Sequence, residues 1–124
     1  MLASTEAAAT IAVKDLSVAR KFYEGTLGLK LDQPENPEVA VYKSGGSKII
    51  VYKSQYAGTN EATAATWTVG DTVAEVRDLK AKGVRFERYD MPGMVHEGDV
   101  HVMGEMKAAW FKDPDGNILS VVSG

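Results

Sequence analysis

The sequence predicts an α+β fold of two tandem βαβββ modules. Three observations predict it. The chain repeats itself, and an internal repeat constrains a fold more than any local signal. Ala9-Thr10-Ile11-Ala12-Val13-Lys14-Asp15 aligns with Ala65-Thr66-Trp67-Thr68-Val69-Gly70-Asp71 at an offset of 56. Leu27–Leu31 aligns with Lys82–Phe86 at 55, and Tyr42–Val51 with Phe111–Ser120 at 69. Within each half the apolar pattern changes in the same order, from a β-branched run to helical spacing and then to short runs. Each half also closes on two runs joined by a turn sequence, Ser44-Gly45-Gly46-Ser47 or Asp113-Pro114-Asp115-Gly116.

The elements follow in order. Ala9–Val13 reads as a strand, and Asp15 as the cap of a helix that presents Leu16, Ala19, Phe22, Tyr23 and Leu27 on one face. Lys14, Arg20, Lys21 and Glu24 take the other face, and Gly28 ends the helix. A strand begins near Leu29, and a hairpin joins Val39–Lys43 to Lys48–Lys53. The second half repeats this with strand Ala65–Val69, cap Asp71, apolar Val73, Val76 and Leu79, and terminator Gly83. A strand near Val84 and the hairpin Ala108–Lys112 to Asn117–Val122 follow. The change of offset places 14 extra residues between Phe86 and Lys107. The expected organisation is one domain, 1–124, with modules at about 7–56 and 63–123.

Composition narrows the function. There is no cysteine, which excludes disulfides, thiolate metal sites and a cysteine nucleophile. The two histidines, His96 and His101, both lie in the extra segment. A net charge of −3 offers no basic surface for nucleic acid or an anionic membrane. No apolar run approaches the roughly 20 residues of a membrane span, and the first residues have no basic leader pattern, so a cytoplasmic location is expected.

Four motifs then carry a resemblance: Val13-Lys14-Asp15-Leu16, Ala19-Arg20-Lys21-Phe22-Tyr23, Leu27-Gly28-Leu29 and Asp113-Pro114-Asp115-Gly116-Asn117. In this order, across nearly the whole chain, they resemble the vicinal oxygen chelate superfamily of glyoxalases, extradiol dioxygenases, and fosfomycin- and bleomycin-resistance proteins. Phe86–Gly93 with Ala109–Lys112 looks like a bacterial subgroup described only as glyoxalase/bleomycin-resistance-like. The resemblance implies sheets curved around a ligand cavity. It also implies divalent-metal ligands at Ala8, Val51, Ala64 and Ser120. Two methyls, an isopropyl and a neutral hydroxyl do not make a divalent-cation site, so no metal or other cofactor is expected.

Alternation from those positions assigns the cavity face. Ala8, Thr10 and Ala12, then Ala64, Thr66 and Thr68, point inward. So do Ile49, Val51, Ile118, Ser120 and Val122, with Ala108 and Trp110 placed by resemblance and Val39 and Val41 by the repeat. Trp67 is expected under its helix. The candidate ligand-binding residues are Thr10, Ile49, Val51, Thr66, Met94, Ala108, Trp110 and Ser120, with no catalytic residue among them. A lining of small apolar groups, three hydroxyls and one large aromatic suits a flat, largely apolar organic molecule.

The extra segment holds Met91, Met94 and Met103, with Met106 beside it. It reads either as a lid over the ligand or as an edge strand at a subunit contact. His96, Glu97, Asp99 and His101 are expected in a surface loop; in one continuous strand, His96 would face away from the other three. The expected function is metal-independent binding or sequestration of a small hydrophobic or aromatic molecule, an antibiotic being one option, by the homodimer that the resemblance implies. The alternatives are a glyoxalase-like lyase or isomerase, metal-free or with a displaced metal at 96–101, and a protein-interaction module.

Overall fold

A computed structural model describes residues 2–124. Strand β1 (Ala9–Val13) leads into helix α1 (Leu16–Arg20). Asp15 caps it, its carboxylate accepting from the Ser17 N–H at 2.9 Å. The helix continues past Arg20 as a wider π-helical stretch, Lys21–Thr26, and the chain turns at Gly28, whose φ is +75°. Strands β2 (Lys30–Leu31), β3 (Val39–Ser44) and β4 (Ser47–Lys53) complete the first module. The second holds β5 (Thr63–Thr68), α2 (Thr72–Ala81), β6 (Phe86–Glu87), β7 (Val95–Glu97), β8 (Val100–Met103), β9 (Met106–Lys112) and β10 (Ile118–Ser123).

The sheets run β1-β4-β3-β2 and β5-β10-β9-β8-β7, with β6 also on β9. In each, the first strand lies parallel to the last, and the last two form an antiparallel hairpin. The repeat reappears as pairing: Leu31 faces Tyr42 in one sheet and Phe86 faces Phe111 in the other.

One apolar cluster lies on the helix side of both sheets. Ile11, Val13, Tyr42, Ile49 and Val51 pack with Leu16, Ala19 and Tyr23; Ala65, Ala109, Phe111, Leu119 and Val121 extend the cluster through the second module. Full burial of an aliphatic or Phe side chain contributes roughly 1.5–3 kcal/mol, so this face holds most of the fold's stability. In α2 the buried positions are Thr72 and Val76, while Val73 is 45% exposed. Val73 was expected inside. Thr72, Val76 and Leu79 share a helix face, and Val73 sits about 100° further round.

The Asp113-Pro114-Asp115-Gly116-Asn117 turn joins the modules. Buried Asp113 accepts from the Tyr23 hydroxyl at 2.8 Å, and from the Asn117 side-chain and backbone N–H groups at 2.8 Å each. The Asn117 amide also donates to the Ala12 carbonyl at 2.8 Å, reaching β1. Burial, then the Asp113 charge, raises the Tyr23 phenol well above its usual range, so it remains a donor. Trp67 lies at the seam rather than wholly under α2, its indole N–H donating to Ser44 Oγ at 2.9 Å.

Two expectations are corrected here. Lys43 pairs with Lys48, but Lys112 pairs with Ile118, so the second turn is one residue longer. The offset is therefore 69 through β3 and β9 but 70 through β4 and β10. A one-residue slip inverts every side chain. Ile49 and Val51 thus correspond to Leu119 and Val121 in the helix-side core, not to the cavity face. The second correction concerns 95–103, which is a hairpin rather than a loop. Gly98 has φ +64° while Asp99 has an ordinary φ, as suits a two-residue hairpin turn led by glycine. The turn resets the alternation, so His96 and His101 are cross-strand partners on one face, and Glu97 pairs with Val100 on the other.

Candidate functional site

The sheet face away from the helices is built from rows of paired residues. Thr66, Ser120 and Trp110 form one row of the second sheet. Thr68, Val122, Ala108, His101 and His96 form the next. On the first sheet, Thr10 stands beside Ile50 and Val41, and Ala12 beside Tyr52 and Val39. Four expected residues, Thr66, Ala108, Trp110 and Ser120, therefore share one sheet face, and Thr10 lies on the matching face of the other. Met94 is half-buried just before β7. Met91, not Met94, reaches the cleft beside Trp110.

That cleft has a volume of about 280 Å³ and is lined by Glu61, Thr63, Tyr89, Met91, Trp110 and Ile118, among others. The Trp110 indole N–H donates to Thr63 Oγ1 at 3.2 Å, which fixes the ring. Tyr89 stands edge-on to it, centroids 5.5 Å apart at 80°, and His101 lies on another side at 4.8 Å and 88°. A larger depression of about 730 Å³ opens at the start of α1 among Lys14, Asp15, Arg20, Glu35 and Lys53. Arg20 there is held by Glu24 and Glu35 at 2.7 and 3.0 Å. The depression offers solvated charges and no aromatic wall.

His101 is only 1% exposed. Its Nε2 accepts the Tyr89 backbone N–H at 2.9 Å, so in the neutral ring the proton sits on Nδ1. Nδ1 has no hydrogen-bond partner. Burial, followed by the neighbouring His96, holds the His101 pKa below its ordinary 6.5. The His96 ring is 4.7 Å away, and its Nε2 donates to the Tyr89 carbonyl at 3.0 Å. Both histidines thus anchor the Tyr89 backbone. Neither Tyr89 nor Thr63 lies in a sequence pattern that marks it. The Gly98-Asp99 pair was the legible signal for the hairpin.

The corrected register moves the fourth family ligand position from Val51 to Ile50. The set becomes Ala8, Ile50, Ala64 and Ser120, which still offers one hydroxyl. That hydroxyl is 2.7 Å from Thr66 Oγ1, and Ser120 is 2% exposed. These residues do not fit a divalent cation. A displaced site at 96–101 does not assemble either. Glu97 lies on the opposite face from the histidines, and Asp99 pairs with Lys80 Nζ at 2.7 Å. Among the described residues, no group of three or more His, Asp or Glu side chains could hold a metal. No helix there is long and apolar enough to cross a membrane.

Solved structures of other proteins share this fold. The fold is similar to lactoylglutathione lyase from Agrobacterium tumefaciens, with a TM-score of 0.74, 15% identity, and coverage of 98% of this chain and 94% of that one. It is similar to a glyoxalase family protein from Enterococcus faecalis, with a TM-score of 0.72, 17% identity and coverage of 98% and 99%. The fosfomycin resistance protein FosX from Listeria monocytogenes gives 0.71, 18%, 98% and 93%. These likenesses concern the fold alone. A search of the curated proteins finds no match. The profile of the Glyoxalase/Bleomycin resistance protein/Dioxygenase superfamily matches residues 6–121. With a match of that extent over paired sheets of this topology, the chain belongs to that superfamily.

Proposed function

We propose that this protein binds a small, largely apolar organic molecule on the open sheet face at Trp110, without a metal, and acts by sequestration. The observation that carries this reading is the replacement of the family's ligand set. Ala8, Ile50 and Ala64 offer no donor atom on their side chains, and the Ser120 hydroxyl is engaged by Thr66. Beside them stands a large aromatic ring fixed by Thr63 and flanked by a cleft. Apolar walls with a few oriented polar groups are the usual make-up of a small-molecule site.

The proposal includes a cytoplasmic homodimer in which each open face is covered by its partner. Val39, Val41 and Ile50 are half-buried on the first module's open face, and Tyr52 is 38% exposed. An antibiotic is one candidate ligand, and a neighbour in fold is a fosfomycin resistance protein. A metal-free lyase or isomerase that used His101 as its acid or base would need that imidazole within reach, and its burial argues against that role.

The test is titration with meta-tert-butylphenol, followed by calorimetry in wild type and in Trp110→Leu, and through the Trp110 indole N–H signal in wild type. Wild type should show the Trp110 signal shifting to saturation, and Trp110→Leu should bind at least about tenfold more weakly, the loss of an aromatic contact of about 1.4 kcal/mol. Equal affinity in both proteins would place the ligand elsewhere.

A further inference from the structure

The cleft at Trp110 has an electrostatic character that a merely apolar site does not need. Tyr89 and Trp110 meet at 80° with centroids 5.5 Å apart, so their rings form two walls of a corner. The faces of such rings carry negative charge density and attract cations. The lining residues include one charged side chain, the Glu61 carboxylate, and no lysine, arginine or histidine. Among the described residues Glu61 makes no ion pair; Glu87, nearby on β6, is neutralised by Lys112 at 3.6 Å. Arg88 and Asp90, on either side of Tyr89, are exposed, and neither lines the cleft. The Met91 thioether adds a soft, polarisable edge. Thr63 Oγ1 accepts from the Trp110 indole, so the lining's one fixed donor is already engaged and does not favour an anion.

We infer that this cleft selects an organic cation, an alkyl- or arylammonium group, over a neutral or anionic molecule of the same shape. The inference rests on the binding reading above and names the ligand class for that same site. The ammonium group would sit in the Tyr89–Trp110 corner with Glu61 at its edge, and its apolar remainder would lie along Ile118 toward the open face. A volume of about 280 Å³ suits a compact head group rather than a whole drug-sized ligand.

Two probes of matched shape test it: meta-(trimethylammonio)phenol and meta-tert-butylphenol, which differ in a nitrogen cation replacing a carbon. Both are titrated at about pH 7, where each phenol is largely protonated, into the 124-residue chain, followed by the Trp110 indole N–H signal. The cation should bind about tenfold more tightly, as expected for a cation–π contact at a partly desolvated site. Glu61→Gln should reduce that preference to about threefold, because an exposed carboxylate is largely screened by solvent. Tyr89→Leu should remove most of the remainder. Equal affinity for the two phenols, or tighter binding of the neutral one, overturns the cation inference and leaves the binding reading standing. Binding of neither at Trp110 overturns both.

Discussion

His101 carries the clearest consequence at the level of single residues. It is buried neutral, with Nε2 engaged by the Tyr89 N–H and its pKa held below 6.5. Below that value the unfolded chain binds a proton that the folded chain resists. Stability from this residue is therefore fully present above about pH 7 and falls as the pH drops through 6.5 toward the folded pKa. Urea midpoints at about pH 8 and about pH 5.5 should differ in wild type, and the difference should shrink in His101→Gln. An unchanged pH dependence in the variant would assign the acid sensitivity to other groups. Residue types were legible in the sequence, but several environments were not. Trp110 could be assigned to the open face by parity and resemblance. Tyr89 could not, because it follows a two-residue strand and precedes a turn, where no period exists to extrapolate. Ile49 and Val51 were misplaced because Asn117 belongs to the turn: its amide bonds to Asp113 and Ala12, and that extra residue inverts the alternation.

Among the elements, the β7–β8 hairpin gathers the site. It brings His96 and His101 against Tyr89 and Trp110, and Lys80 on α2 ties its turn down through Asp99 at 2.7 Å. Gly98 permits the turn. A Cβ there would meet nothing within 4 Å, so Gly98→Ala tests the backbone alone and should cost roughly 1–2 kcal/mol. Gly58 has φ +78° as well, and a Cβ there would stand 2.5 Å from the Asp115 carbonyl oxygen. Gly58→Ala should therefore destabilise more than Gly98→Ala in urea denaturation. The reverse order would mean that the hairpin turn is more strained than its open surroundings indicate. The hairpin escaped the sequence reading because four polar residues in six resemble a loop. Its pairing depends on a two-residue turn, not on apolar alternation. The helix starts were legible at Asp15 and Asp71 because capping is local chemistry.

Across the whole molecule, the repeat carried the fold. Offsets in the sequence became equivalent pairs in the two sheets, and the extra residues became a hairpin on one sheet edge. If two copies cover each other's faces, light scattering should report a dimer, and Tyr52→Glu should shift it toward monomer without lowering the monomer's own stability, since Tyr52 is 38% exposed in one chain. A monomeric wild type would leave the first module's apolar face for another partner. The central claim is binding at Trp110 without a metal, and one titration addresses it directly. Protein dialysed against EDTA, and the same protein with added zinc, nickel or manganese, is titrated with the two matched phenols while the Trp110 indole signal is followed. The account predicts the same saturable shift and the same affinity in every sample. A response that appears only with added metal, or none at Trp110 in any sample, would contradict it.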